Sequence, residues 1–168
     1  RIILNGGFDR LLKDEAKAPV PTKIGTVAEI TDAGKASPPP PEEPKPQKII
    51  SPLPAATGCT AIAENAFIAC FYNNVNLQDL ETSRTDSKID FNWFDGAPIP
   101  QLNKDNFSVR WQGNFDFESG EYEFVTVADD YAQLYIDNEL VGNAASSAKK
   151  VLSKGKHRLT LDYVENSG

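Results

Sequence analysis

The chain has 168 residues, 40% of them hydrophobic and 24% charged, enough for one well-buried domain with an appendage and too little for two full ones. A formal net charge of -7, with no Lys/Arg-rich stripe to reverse it locally, argues against nucleic acid and anionic lipid as partners and favours a cation or a neutral polar ligand. No run of about 18 apolar residues is present to insert into a bilayer, and an Arg at position 1 with no Met in the chain gives the expectation of a processed piece of a longer protein.

Residues 1–57 read as an extended arm. Phe8, Leu11, Leu12 and Ala16 fall on one face of a short helical segment over Phe8–Lys17, which needs a partner surface to persist. Ser37–Gln47 follows as a proline-rich, charged tract whose fixed φ angles and missing donors predict a semi-rigid polyproline spacer. Cys59 and Cys70 lack zinc-site spacing. They form either a disulfide stapling the start of the domain, which places the chain outside the cytoplasm, or two independent thiols.

From Gly58 onward short alternating runs take over. Phe67–Tyr72 is the first strand. The clearest one spans Phe107, Val109, Trp111, Gly113, Phe115 and Phe117, with polar residues between them, and predicts one dry and one wet face. Glu118–Glu121 turns the chain into Tyr122–Val127, and Gln133–Ile136 turns through Asp137–Glu139 into Leu140–Val141. Ser153–Lys156 leads into a closing strand, Arg158–Tyr163, with His157, Leu159, Leu161 and Tyr163 on one face. Six or so short strands without a long helix predict an all-β sandwich or barrel.

Between two of these strands sits Asp129-Asp130. Adjacent carboxylates repel unless a cation or a shared proton relieves them, which points to a calcium site, or else the pair caps backbone amides in a tight turn. Of the aromatic residues, Trp111, Phe107, Phe115, Phe124 and Tyr135 read as core. Trp93, in the loop-like Asn-Trp-Phe-Asp-Gly context, and Tyr131 are the candidates for a ligand-facing rim. His157 is the one histidine and reads as a satisfied or edge core residue, with no nucleophile to serve. Asp79, Glu81, Asp86, Asp95 and Asp105 show no spacing that makes two of them face each other as in glycoside hydrolysis. No enzyme is expected.

Ala69-Cys70-Phe71-Tyr72-Asn73-Asn74, Ile89-Asp90-Phe91-Asn92-Trp93, Asp95-Gly96-Ala97-Pro98, Asn106–Gly113, Gly120-Glu121-Tyr122-Glu123-Phe124, Ala128-Asp129-Asp130, Leu134–Asn138 and Gly155–Gly168 resemble, in order, the successive signatures of the PA14 domain over about residues 66–168. The resemblance implies a PA14-like β-sandwich or barrel over residues 58–168, carried behind an extended proline-rich N-terminal arm, in a family of adhesins, glycosidase accessory modules and toxins. It further implies that Asp129 and Asp130, joined by a cis peptide in the sugar-binding members, coordinate Ca²⁺ that binds sugar hydroxyls. Asn143 is similar in position to a further ligand, and carbonyls of the Asn143–Ser147 loop complete the shell.

The family's last strand is not found before Gly168, so the expectation is either a truncated chain or a strand supplied in cis or in trans by another segment, Ile24–Ile30 or Lys48–Leu53 being the nominees. The function expected is a non-catalytic, extracytoplasmic binding module for Ca²⁺-dependent recognition of a glycan or cell-surface carbohydrate in adhesion. The competing expectation is a structural subunit of a cell-envelope or surface assembly, docking on other subunits through residues 1–57.

Overall fold

The computed structural model describes residues 2–6 and 52–167. Among the described residues there are eleven strands and no helix, the all-β architecture that the alternating pattern requires. The strands are β1 (Ile2–Gly6), β2 (Ala63–Glu64), β3 (Phe67–Tyr72), β4 (Leu80–Asp86), β5 (Asp90–Phe91), β6 (Phe107–Phe117), β7 (Gly120–Ala128), β8 (Tyr131–Ile136), β9 (Glu139–Asn143), β10 (Ser146–Leu152) and β11 (Gly155–Glu165). They form a four-stranded sheet in the order β10-β7-β1-β5 and a seven-stranded sheet along β4-β3-β6-β11-β8-β9, with β2 pairing in parallel with β6. The nominated helix over Phe8–Lys17, the proline tract and Ile24–Ile30 lie outside the described residues.

β6 and β11 are the spine. They pair antiparallel over their full lengths, from Phe107↔Glu165 to Phe117↔Gly155. Their inward residues, Phe107, Val109, Trp111, Phe115, Leu159, Leu161 and Tyr163, join Tyr122, Phe124 and Leu152 of the facing sheet in a single buried cluster. Each fully buried large apolar side chain contributes roughly 1.5–3 kcal/mol relative to exposure, so this cluster fixes the face-to-face packing of the two sheets.

The outer face of β6 is wet only toward its end, at Asn114 and Asp116. Ser108, Arg110 and Gln112 are all buried, because residues 54–61 cross the outer side of the seven-stranded sheet and offer it their carbonyls. Arg110 donates to the Pro54 carbonyl at 2.8 Å, and the Gln112 amide donates to those of Cys59 and Ala61 at 3.0 and 2.7 Å. Cys59 and Cys70 form a disulfide that pins this crossing to β3. Gly113 permits the close approach of β2, since a Cβ there would meet the Ala66 carbonyl oxygen at 1.9 Å.

A strand that the sequence did not nominate joins the smaller sheet from the start of the chain. β1 lies between β7 and β5, running antiparallel to both, from Ile2↔Ala128 to Gly6↔Phe124 against β7. Of the other nominee, Lys48–Leu53, the described part makes one bridge, Pro52↔Glu139.

Candidate functional site

Sheet pairing gathers several chain turns at one end of the sandwich. Val164 pairs with Tyr131 and Glu165 with Phe107, so the β7–β8 turn (129–130), the end of β11 and the loop leading into β6 converge. A cavity of about 40 Å³ opens there, lined by Asn92, Trp93, Phe94, Gly96, Lys104, Phe107, Asp129 and Glu165. Its volume suits an ion or a water and not a sugar ring.

Tyr163 organises the acidic wall. Its hydroxyl lies 3.0 Å from Asp129 Oδ1 and 2.5 Å from Glu165 Oε2. A phenol has one proton to donate, so two carboxylates compete for it. Burial pushes the Glu165 carboxyl up, and the charges of Asp130 and Asp129 push it further, against the hydrogen bond from Tyr163. Burial also acts to raise Asp129, but the hydrogen bonds it accepts, those from Tyr163 and from a backbone amide among them, bring it below the ordinary carboxylate value. Burial and then the bond to Glu165 raise Tyr163 itself. Asp130 Oδ2 accepts from the Asn166 amide at 2.7 Å and from the Ser167 amide at 3.4 Å.

None of the described peptide bonds is cis, so Asp129 and Asp130 are joined in trans. Trp93 lies half-buried between cavity and core, stacked on Phe91 at 5.6 Å and Trp111 at 6.4 Å and set edge-on to Phe107 at 5.7 Å. Phe94 beside it is 86% exposed. Of the residues nominated from sequence, Asp129 and Trp93 thus share one cavity. Tyr131 stands on the outer face of β8, where burial and the charge of Asp162 raise its phenol. Asn143 ends β9 opposite Gln133, and its turn is closed by Ser146, whose Oγ accepts from the Asn143 amide at 2.9 Å and donates to the Asn143 carbonyl at 2.5 Å. Ser146 and Ser147 belong to β10, which pairs with β7, so the loop expected over Asn143–Ser147 shrinks to Ala144–Ala145. Glu165, Tyr163, Phe94 and Lys104 were not nominated. The one signal for them was the closing run Tyr163-Val164-Glu165, whose alternation sets Tyr163 and Glu165 on one face.

Metal fitness rests on these donors. Among the described residues no three His, Cys, Asp or Glu side chains form a ready metal cluster. The oxygens of Asp129, Asp130 and Asn143 are nonetheless the hard donors that Ca²⁺ prefers; of the three, Asp129 lines the cavity and the other two do not.

A second constellation lies at the opposite end of β11. His157 Nδ1 is 2.6 Å from Asp137 Oδ2, and Nε2 is 3.4 Å from Ser153 Oγ and 3.0 Å from the Ser153 carbonyl. The residue types are those of a hydrolytic triad, which the sequence did not reveal. Nε2 faces a carbonyl acceptor, however, and so carries a hydrogen; it cannot also take the serine's proton. Burial acts to lower the imidazole, but the bonds to Asp137 and to the Ser153 carbonyl raise it above its ordinary value. The trio clamps the β10–β11 turn.

The chain is 39% identical over 72 residues to anti-sigma-I factor RsgI3 of Acetivibrio thermocellus, a stretch that is 42% of this chain and 11% of that protein. An anti-sigma factor domain-containing protein from Clostridium clariflavum superimposes with a TM-score of 0.56 at 29% identity, covering 61% of this chain and 38% of that one. A further anti-sigma factor domain-containing protein gives a TM-score of 0.56 at 30% identity, over 63% of this chain and 39% of that one. The chain therefore spans about a tenth of the curated relative and under two fifths of the solved structures. The PA14 domain family pattern matches residues 64–166, more than half of the chain and most of the two sheets, and on that match this protein belongs to the PA14 domain family.

Proposed function

We propose that the chain is a non-catalytic, extracytoplasmic sensing domain that recognises carbohydrate through Ca²⁺ held at the cavity rim. Asp129 and Asp130 are the carboxylate ligands in this reading, Asn143 adds an oxygen from the β9–β10 turn, and Trp93 and Phe94 flank the ligand. The observation that carries it is the Tyr163 hydroxyl shared between Asp129 and Glu165 on the wall of a cavity of about 40 Å³. When bound, the ion supplies open coordination positions for two vicinal sugar hydroxyls. The residues of the chain do the rest: Tyr163 orients Asp129, the Asn166 amide holds Asp130, and the exposed ring of Phe94 offers an apolar face to a pyranose. The anti-sigma factors among the relatives support a regulatory setting in which such a domain reads an external ligand, and the disulfide supports an oxidising compartment.

Calorimetry with CaCl₂ tests the reading. Binding that Asp129→Asn with Asp130→Asn abolishes is expected, together with EDTA-sensitive retention on a polysaccharide array. No heat at millimolar Ca²⁺, or binding indifferent to the double variant, sinks it. The second reading, a structural subunit docking through residues 1–57, is favoured by one observation: β1 occupies a sheet position far from its place in the chain.

A further inference from the structure

Lys104 is the one cation among the described residues that line the cavity, and it shares that lining with the carboxylates of Asp129 and Glu165. Its place in the fold is fixed from both sides. The Leu102 amide donates to the Ile99 carbonyl at 3.1 Å and the Asn103 amide to Asn73 Oδ1 at 2.8 Å. Just beyond it Phe107 opens β6, opposite Glu165. The backbone therefore holds Lys104 beside the acids, while its side chain is 63% exposed and its ammonium lies 3.9 Å from Asp105 Oδ2. An exposed pair at that distance is worth little and is left at little cost.

The cavity has room for one small occupant. Its volume of about 40 Å³ accommodates a single water or ion, and a lysine ammonium is a compact point charge carried on a flexible four-carbon stem. Two cations cannot sit there together. A charge anchored at the rim acts at an effective concentration of millimolar order, comparable with the roughly 10⁻⁴–10⁻³ M calcium that half-fills extracellular modules. Neither competitor is negligible against the other.

We propose that Lys104 is a tethered competitor for the calcium site at Asp129, a regulation that rests on the calcium reading above. The ammonium turns from Asp105 into the cavity against Asp129 and Glu165, and a divalent cation binds by expelling it. The site is thereby set to respond to millimolar calcium and to ignore lower levels.

Two measurements on the full chain test it. In calorimetry with CaCl₂, apparent affinity falls with the fraction of chains whose site is open, so Lys104→Met is expected to bind about five-fold more tightly than the unaltered chain. Lys154→Met, which removes the same charge at the opposite end of β11, is expected to leave the affinity unchanged. Without metal, amine acetylation by an N-hydroxysuccinimide ester, read by peptide mass spectrometry, is expected to modify Lys104 more slowly in the unaltered chain than in Asp129→Asn with Glu165→Gln, and to quicken when CaCl₂ is added. Equal calcium affinity of the Lys104→Met and Lys154→Met chains, with Lys104 acetylated at one rate whether or not the acids are present, overturns the proposal and leaves calcium binding intact. No heat from any chain, with Lys104 still shielded by the two acids, sinks the calcium reading and keeps Lys104 as the cavity's resident cation.

Discussion

Arg110 and Asp162 meet across β6 and β11 through two hydrogen bonds of 2.6 Å, with side chains only 5% and 3% exposed. Burial pushes the Asp162 carboxyl up, and the Arg110 guanidinium opposes it. Around the pair, burial pushes the Tyr72 and Tyr135 phenols up to about 12. Removing one partner strands a buried charge. Arg110→Ala or Asp162→Ala is expected to cost about 3–5 kcal/mol, whereas Arg110→Met with Asp162→Leu is expected to cost much less than either. Urea denaturation of the three variants checks the order; a double variant as unstable as the singles contradicts it.

The clamp at His157 gives a pH dependence. Its folded-state value lies above the ordinary 6.5, so its stabilising contribution is complete below that value and is lost as pH rises through the higher folded-state value. The Asp137 side chain is half exposed, and solvent screening holds the contribution to about 0.5 kcal/mol. Asp137→Asn is expected to flatten the fall in melting temperature from pH 6 toward pH 8, measured by scanning fluorimetry.

How much of this was legible depended on where each residue's partner lies in the chain. β6 announced itself because its inward face is aromatic at every second position, and β11 because Leu159, Leu161 and Tyr163 repeat the pattern. β4 and β10 passed unread: both are sheet-edge strands, and Leu80–Asp86 and Ser146–Leu152 carry too few apolar residues to alternate. The outer face of β6 was misread because Ser108, Arg110 and Gln112 look solvated until residues 54–61 are laid across them. Asp129-Asp130 stood out because two charges adjoin in sequence. Glu165 and Tyr163, which complete that acidic wall, sit more than thirty residues later, and their alternation in the closing strand places them on one face without tying that face to Asp129.

Gly113 is a packing requirement that no sequence period reveals. With the Ala66 carbonyl 1.9 Å from where a Cβ would sit, the obstacle is backbone and cannot swing aside. Gly113→Ala is expected to destabilise by about 3 kcal/mol, and the same exchange at Gly120, where the nearest neighbour is the tip of the Tyr122 ring at 3.7 Å, by far less. Parallel chemical denaturation of the two variants makes the comparison.

Phe94 sets stability against the binding proposed for it. It holds a φ of 51°, which costs a bulky L-residue about 1–2 kcal/mol, in a turn closed by the Asn92 side chain accepting from its amide at 3.2 Å. Phe94→Gly is expected to raise stability by about 0.5 kcal/mol after the added unfolded-state entropy of glycine, and to weaken carbohydrate retention. A variant that is both more stable and fully retained removes Phe94 from the ligand site.

The crossing of residues 54–61 has a mechanical consequence. A pull on the chain ahead of Pro52 is delivered through the Cys59–Cys70 bond to β3 and through Arg110 and Gln112 to β6, both inside the larger sheet and not at its margin. Such a load must shear many ladder bonds at once, where a load on an edge strand would unzip them singly. Tension arriving at Pro52 is therefore carried by interior strands for as long as the disulfide holds, and forced extension at low thiol is expected to leave the sandwich intact well after the same pull under reducing conditions has opened it.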